Sequence, residues 1–274
     1  KKNNNLMSIP FWSDDDLDEH LNVLGVRKGD NICVHSKLWS FGKCRNGAKS
    51  FYDALQRAVG EKGSLIFPSF TFDTTSKNIF SVDETKPQGM GSLSNFVWNL
   101  KKKFRSPCPI HSHMGVGPKS IFLKDISGLS SIGKESDFEL FLKYDFKLLM
   151  LGLGFTEGAS YMHYVEYCAK VPYRQPLSLP RRVKYNNKDE VRNVDIYYYG
   201  RPDKEYLNDG ENRPYLENYD VVEYKMLEEG KINQIKTSFG RSSYCTVANA
   251  HESAMKMVKI DPFAMVRPND KIKI

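Results

Sequence analysis

FKLLMLGLGFTEGASYMHYVEYCAK, residues 146–170, decides how this chain is read. Phe146 to Gly152 is the most continuous apolar run in the sequence, as a strand buried on both faces of a sheet demands. Leu153 to Gly158 reads as a glycine-bearing turn, and Ser160 begins a helix. Strand, turn and helix in succession point to a layered α/β domain. The helix carries His163 and Glu166 at i, i+3 spacing, which sets both on one face with Cβ atoms about 5–6 Å apart. His163 then falls in the first helical turn beside the carboxyl edge of the strand, where α/β sheets present ligand sites. A carboxylate in that position orients an imidazole and favours its charged form, raising its basicity toward that of a working general base. The plainer alternative is a surface helix carrying an ordinary polar pair.

Other α/β elements extend outward from this stretch. Ser13-Asp-Asp-Asp has the residue types that cap a helix start, and Leu17, Leu21 and Leu24 follow at helical spacing. Asp30 to His35 reads as a short buried strand entering the polar turn Ser36 to Gly42. Phe51, Leu55 and Val59 mark a second helix, stopped by Gly60 and Gly63, and Ser64 to Phe67 a second strand. After a loop from Asp73 to Gly91, the spacing predicts an amphipathic helix over Leu93 to Phe104. Past residue 170 the texture changes to Pro, Asn, Asp, Arg and Tyr, with period-two alternation near Val191 to Tyr199 that suggests antiparallel strands. Tyr219 to Leu227 and Ala248 to Val258 read as helices, the second closed by Asp261-Pro262. Residues 1–170 are expected to form the α/β core and 171–274 an appendage completing it and shaping the substrate site.

Composition narrows the function classes. Of 274 residues, 40% are hydrophobic and 27% charged, as in an ordinary globular protein. No apolar run approaches the roughly 18–20 residues of a membrane span, and the N-terminal segment lacks the apolar core of a secretory signal, so a cytoplasmic protein without integral membrane contact is expected. The 5 cysteines are widely spaced and free of CxxC pairs, which argues against a disulfide framework or a thiolate zinc site. His111 and His113 lack a third ligand at a recognisable spacing, so no metal is expected. The net charge of +7 favours an anionic partner, but the basic residues are scattered and no nucleic-acid motif accompanies them. A phosphate-bearing small molecule fits this charge better.

Read in order, four blocks resemble the aminoglycoside 3-N-acetyltransferase family. They are Val34-His-Ser-Lys-Leu-Trp-Ser-Phe-Gly42, Gly63-Ser-Leu-Ile-Phe-Pro-Ser-Phe-Thr71, Arg105-Ser-Pro-Cys-Pro-Ile-His-Ser112 leading to Gly117, and Ser160-Tyr-Met-His163-Tyr-Val-Glu166. Two departures stand out: Cys108 replaces the family's histidine before proline, and Ser160 its threonine. The resemblance implies a three-layer α/β/α fold with a central mixed sheet and a smaller, partly β region, unlike the common split-sheet acetyltransferase fold. It also implies acetyl-CoA as co-substrate, no metal, and transfer to a primary amine. His163 would be the general base, with Glu166 and Ser160 beside it. Acetyl-CoA contacts are expected from His35, Ser36, Lys37, Ser40, Gly42, Arg105 and Ser112, with Ser36, Ser40 and Ser112 also candidate oxyanion donors. Acceptor contacts are expected from Thr71, Asp73, Cys108 and His111. The basic charge favours a nucleotide-linked amino sugar of surface-polysaccharide biosynthesis as acceptor over a polycationic aminoglycoside. A non-catalytic binding module and a homodimer are further readings of the same sequence.

Overall fold

The computed structural model describes residues 9–201 and 214–271; the polar N-terminal segment 1–8 and part of the Pro- and Asn-rich stretch lie outside the described residues. In chain order the elements are β1 (Phe11–Trp12), α1 (Asp14–Leu24), β2 (Asn31–Ser36), β3 (Lys43–Cys44), α2 (Ala48–Val59), β4 (Ser64–Pro68), β5 (Ile79–Ser81) and α3 (Gly91–Trp98). There follow β6 (Phe104–Arg105), β7 (His113–Val116), α4 (Asp137–Lys143), β8 (Lys147–Leu151), α5 (Phe155–Gly158) and α6 (Met162–Ala169). The chain continues with β9 (Gln175–Lys184), β10 (Arg192–Gly200), β11 (Tyr215–Glu217), α7 (Asp220–Glu228), β12 (Asn233–Lys236), β13 (Arg241–Thr246), α8 (Val247–Ile260) and β14 (Val266–Pro268).

A seven-stranded sheet in the order β12-β13-β8-β2-β4-β7-β6 forms the middle layer. Strands β4, β2 and β8 run parallel at its centre, while β7 and β13 pair antiparallel at either side, so the sheet is mixed as expected. The two-residue period of a strand sorts the core into two faces. Ile32, Val34, Leu65, Phe67, Leu149 and Leu151 pack with the apolar stripes of α1, α2 and α3. Cys33, Ile66, Leu148 and Met150 face the other way, toward buried residues of α4, α6, α7 and α8. The result is the expected three-layer α/β/α arrangement. Ser13 caps α1 in a capping box: the Asp16 N–H donates to its hydroxyl at 3.1 Å, and the Ser13 N–H donates to the Asp16 carboxylate at 2.8 Å.

The alternating segment near residue 195 is the antiparallel partner of β9, and this hairpin with β5 makes a small second sheet, β10-β9-β5. Residues beyond 170 also supply β12 and β13 to the main sheet. Two local expectations are corrected. The helix expected over Leu93 to Phe104 ends at Trp98, because the Asn99 side chain donates back to the Asn95 carbonyl at 2.9 Å and Phe104–Arg105 pairs with β7 instead. The turn expected after β8 contains a short helix, α5.

Gly152, where β8 ends, has φ 83°, and a Cβ there would stand 2.7 Å from the Lys37 carbonyl oxygen. This close approach joins the loops leaving β2 and β8. Gly152→Ala is therefore expected to lower unfolding stability by about 1–3 kcal/mol. A denaturant midpoint equal to that of the unaltered chain would show that the two loops are not held together in this way.

Candidate active site

The loops after the parallel neighbours β2 and β8 meet at the carboxyl edge of the sheet. Gly158 permits the approach, since a Cβ on it would lie 2.6 Å from Leu153 Cδ1 and 3.2 Å from His35 Cβ. The N–H groups that open α5 without helical partners are satisfied from α7: Thr156 donates to Asp220 at 2.8 Å and Phe155 to Glu223 at 3.3 Å. Docking α7 there delivers Tyr219, the residue just before it, to the first turn of α6. The open cleft between them has a volume of about 280 Å³. Thr156, Glu157, Gly158, Ser160 and His163 form one wall; Phe72, His111, Arg174, Tyr198, Arg201, Glu217 and Tyr219 form the rest.

At its base lies a buried network around Glu166, whose side chain is 0% exposed. His163 Nδ1 lies 2.9 Å from one carboxylate oxygen, Tyr173 donates to the other at 3.0 Å, and Arg174 Nε forms an ion pair at 2.6 Å. Tyr219 also donates to this carboxylate at 3.1 Å. Arg174 Nη2 and the Tyr219 hydroxyl approach Nδ1 as well, at 2.9 and 2.8 Å. One ring nitrogen carries either one proton or one lone pair, and the carboxylate is the strongest partner present. Nδ1–H donating to Glu166 leaves the lone pair on Nε2, which has no hydrogen-bond partner among the described residues.

The electrostatics reverse one expectation from the sequence. Burial raises the Glu166 carboxyl, but Arg174, His163 and Tyr173 outweigh it and bring its pKa down to about 2. His163 was expected to be more basic than usual; instead it is held below its ordinary value, by burial first and Arg174 second, against the opposing pull of Glu166. The imidazole is thus neutral at pH 7, the form that can accept a proton. Because a lowered imidazole loses its base form only below the ordinary range, the acid limb of kcat/KM should lie below pH 6.5. Arg174→Gln removes a cause of the lowering and leaves Glu166 in place, so the acid limb should shift to higher pH. An unmoved limb in a pH series would show that His163 does not set it.

Residues 33–259 match the family described as Aminoglycoside 3-N-acetyltransferase. This chain belongs to that family. It is 30% identical over 183 residues to aminoglycoside N(3)-acetyltransferase III of Serratia marcescens, a match covering 60% of this chain and 65% of that one. It is 27% identical over 177 residues to the enzyme of the same name from Acinetobacter baumannii, covering 58% and 62%. The chain therefore matches slightly under two thirds of the length of these curated relatives. Its fold resembles AAC-IIIb in a binary complex with CoASH, with TM-score 0.75, 18% identity and coverage of 92% and 97%. It also resembles a mutant of AAC(3)-IVa in complex with a gentamicin, with TM-score 0.73, 20% identity and coverage of 96% and 94%.

The blocks that carry the aminoglycoside 3-N-acetyltransferase resemblance occupy different depths in the fold. His111, Ser160 and His163 line the cleft, and Glu166 lies directly beneath. The Ser160 hydroxyl makes only a 3.5 Å contact to the Gly158 carbonyl. Lys37 reaches the rim, where it pairs with Glu157 and lies over the Trp39 ring at 4.9 Å. Ser36 ends β2, and buried Ser40 accepts the Phe239 N–H through its carbonyl. Gly42 sits at φ 100° against Pro10. Five other residues are internal. His35 is buried with its pKa pushed down to about 3, by burial and then by His113. Thr71 donates to the Pro109 carbonyl at 2.9 Å, and Ser112 donates to the Ser69 carbonyl at 2.8 Å. Arg105 directs its guanidinium to Ser69, Ser112 and the carbonyls of Ser69, Val82 and Thr85, so its donors serve the fold. Cys108 is 1% exposed, and burial raises its thiol to about 11, which removes it as a nucleophile. Asp73 is exposed, one residue from the cleft-lining Phe72. Among the described residues no group of three or more His, Cys, Asp or Glu is placed to hold a metal, and no helix is long and apolar enough to cross a membrane.

Sequence reasoning missed Tyr173, Arg174, Tyr198, Arg201, Glu217 and Tyr219. A usable signal existed in Val171-Pro-Tyr-Arg174. Lys170, with φ 52°, ends α6 in a left-handed turn and folds the next residues back onto Glu166.

Proposed function

We propose that this chain transfers an acetyl group from acetyl-CoA to a primary amine of an aminoglycoside-class amino sugar, with His163 as general base. The observation carrying this reading is an imidazole lining the open cleft whose Nδ1 is engaged by a buried carboxylate, leaving Nε2 without a partner among the described residues, in a chain of this family. An amine is mostly protonated at neutral pH and must lose a proton to attack a thioester. His163 Nε2 takes that proton, a role worth typically 10²- to 10⁴-fold. Lys37 and the Ser36 to Gly42 loop at the rim are suited to the phosphates of CoA. Family membership, together with the names of the curated relatives and the CoASH and gentamicin complexes of structural neighbours, supports the donor and acceptor classes. A cytoplasmic setting fits a donor made there.

One observation favours a second acceptor class. Among the described residues of the cleft, Glu157 pairs with Lys37, Glu217 with Arg201 and Glu166 with Arg174, so each of these carboxylates already has a cation beside it. Such a wall suits an amino sugar bearing an anionic group, such as a nucleotide-linked one, better than a polycation. Thiol release from acetyl-CoA, measured in parallel with an aminoglycoside and a nucleotide-linked amino sugar, decides between them. The leading expectation is turnover of the aminoglycoside. If neither acceptor releases CoA although acetyl-CoA binds, the catalytic reading fails and a binding module remains.

A further inference from the structure

The basic run Lys101-Lys102-Lys103 has no part in the cleft. Two of its lysines line a second pocket, of about 490 Å³, which shares no described lining residue with the first. That volume lies within the roughly 300–1,000 Å³ of small-molecule sites. The walls come from the end of α3, from β6, from the turns after β5 and β9, and from the stretch around Lys124. These parts are tied together. The Val82 N–H donates to the Lys184 carbonyl at 3.1 Å, and buried Arg105 donates to the Val82 carbonyl at 3.2 Å.

Four cations line this pocket, Lys101, Lys103, Arg105 and Lys124, against one carboxylate, Asp83. None of the four forms an ion pair among the described residues, whereas lysines elsewhere, such as Lys37, Lys49 and Lys231, stand against carboxylates. Aromatic rings hold three of them instead. Lys103 Nζ and the Arg105 guanidinium carbon lie 4.9 and 5.1 Å from the Trp98 ring centre, and Lys124 Nζ lies 5.3 Å from that of Phe104. Lys103 donates one N–H to the Leu100 carbonyl at 3.0 Å, while Lys101 and Lys124 make no hydrogen bond among the described residues. Each ammonium carries three donors, so most of them are open to a ligand. Arg105 is 6% exposed and its donors serve the fold, so it contributes a fixed charge at the back. The crowding of like charge is felt by Lys103, which burial first and Arg105 second hold below the ordinary lysine value, with Asp83 pulling the other way. An oxyanion seated among these groups would offset that repulsion.

We propose that this pocket binds the phosphate group of a small molecule, with Lys101, Lys103 and Lys124 donating to its oxygens and Arg105 supplying positive charge behind them. The site stands apart from the acetyl transfer read for the cleft. Its cations are gathered in one pocket, whereas a nucleic-acid strand requires a basic groove that tracks along its backbone.

Isothermal titration of the full chain with inorganic pyrophosphate, and separately with ADP, tests the assignment. Saturable binding of both is expected. Lys101→Gln combined with Lys124→Gln should raise Kd by about 10- to 100-fold, the usual weight of lost hydrogen bonds between charged groups. Both side chains are exposed and without hydrogen-bond partners among the described residues, so the fold should tolerate the change. Asp83→Asn removes the opposing carboxylate and should lower Kd by about two- to fivefold. ADP binding about tenfold or more tighter than pyrophosphate would place a base against Trp98 or Tyr185 and identify a nucleotide; equal affinities would identify the phosphate alone as the recognised group, and either result upholds the pocket. Absence of binding overturns the proposal. So does binding that the lysine and Asp83 variants leave unchanged and Lys37→Gln abolishes, which would put the phosphate at the cleft rim. Tight binding of a single-stranded oligonucleotide that pyrophosphate cannot displace would overturn it as well.

Discussion

His163→Ala is expected to lower kcat by about 10²- to 10⁴-fold with a much smaller change in KM, because it removes a group that acts only as the amine loses its proton. The fold should tolerate the change: the ring is partly exposed at the cleft, and Glu166 keeps Tyr173, Tyr219 and Arg174 as partners. The distinctive signature lies in the pH profile. Wild-type activity should be flat through pH 7 and fall only on the acid side of the ordinary imidazole range, whereas the alanine variant should lose that limb and rise with the free-amine fraction of the acceptor. Thiol-release kinetics across pH would check both features. An alanine variant that retains more than half the wild-type kcat would remove His163 from the chemistry.

Glu166→Ala should give the largest change in stability. The side chain is fully buried, and its removal strands the Arg174 guanidinium beside a neutral imidazole; among the described residues Glu217, at 3.6 Å, is the carboxylate left to offset it. Breaking one partner of a buried pair costs about 3–5 kcal/mol, chiefly from the uncompensated charge that remains. The sign can be tested by removing that charge too. Glu166→Ala combined with Arg174→Met should be less destabilised than the sum of the single changes, with a coupling of about 0.5–3 kcal/mol. Denaturant unfolding of the four proteins closes the cycle. A single-variant cost below about 1 kcal/mol would mean the pair contributes nothing net.

The sequence patterns that proved reliable are those in which one local rule governs. Alternation along Ile32, Cys33 and Val34 and the unbroken apolar run at Leu148 to Leu151 mark strands covered on both faces, because period two and continuous burial leave a direct trace. The i, i+3 spacing of His163 and Glu166 was legible for the same reason. The state of that pair was not. Whether His163 is more or less basic than usual depends on burial and on Arg174, and Arg174 reaches the pair only because Lys170 reverses the chain. Tyr219 arrives from still farther away, through the contacts between α5 and α7. The overextended helix after Leu93 is a competition between helical spacing and an edge-strand pairing with β7, which residue order cannot rank.

The pairing of β13 with β8 has a consequence for how the protein is made. Strand β8 is complete at Leu151, yet its antiparallel neighbour is not finished until Thr246. At a synthesis rate of 5–20 residues per second, the ribosome needs about 5–20 s to supply the missing strand. During that interval the most apolar strand of the sheet has one open edge, the geometry that invites pairing with another chain. Tyr219 and the α7 carboxylates that dock α5 also emerge within this window, ahead of β13, so the cleft residues arrive while that edge is still open. Yield in the cell should accordingly respond to translation speed and chaperone supply across the segment between β8 and β13, even where the finished protein is unchanged.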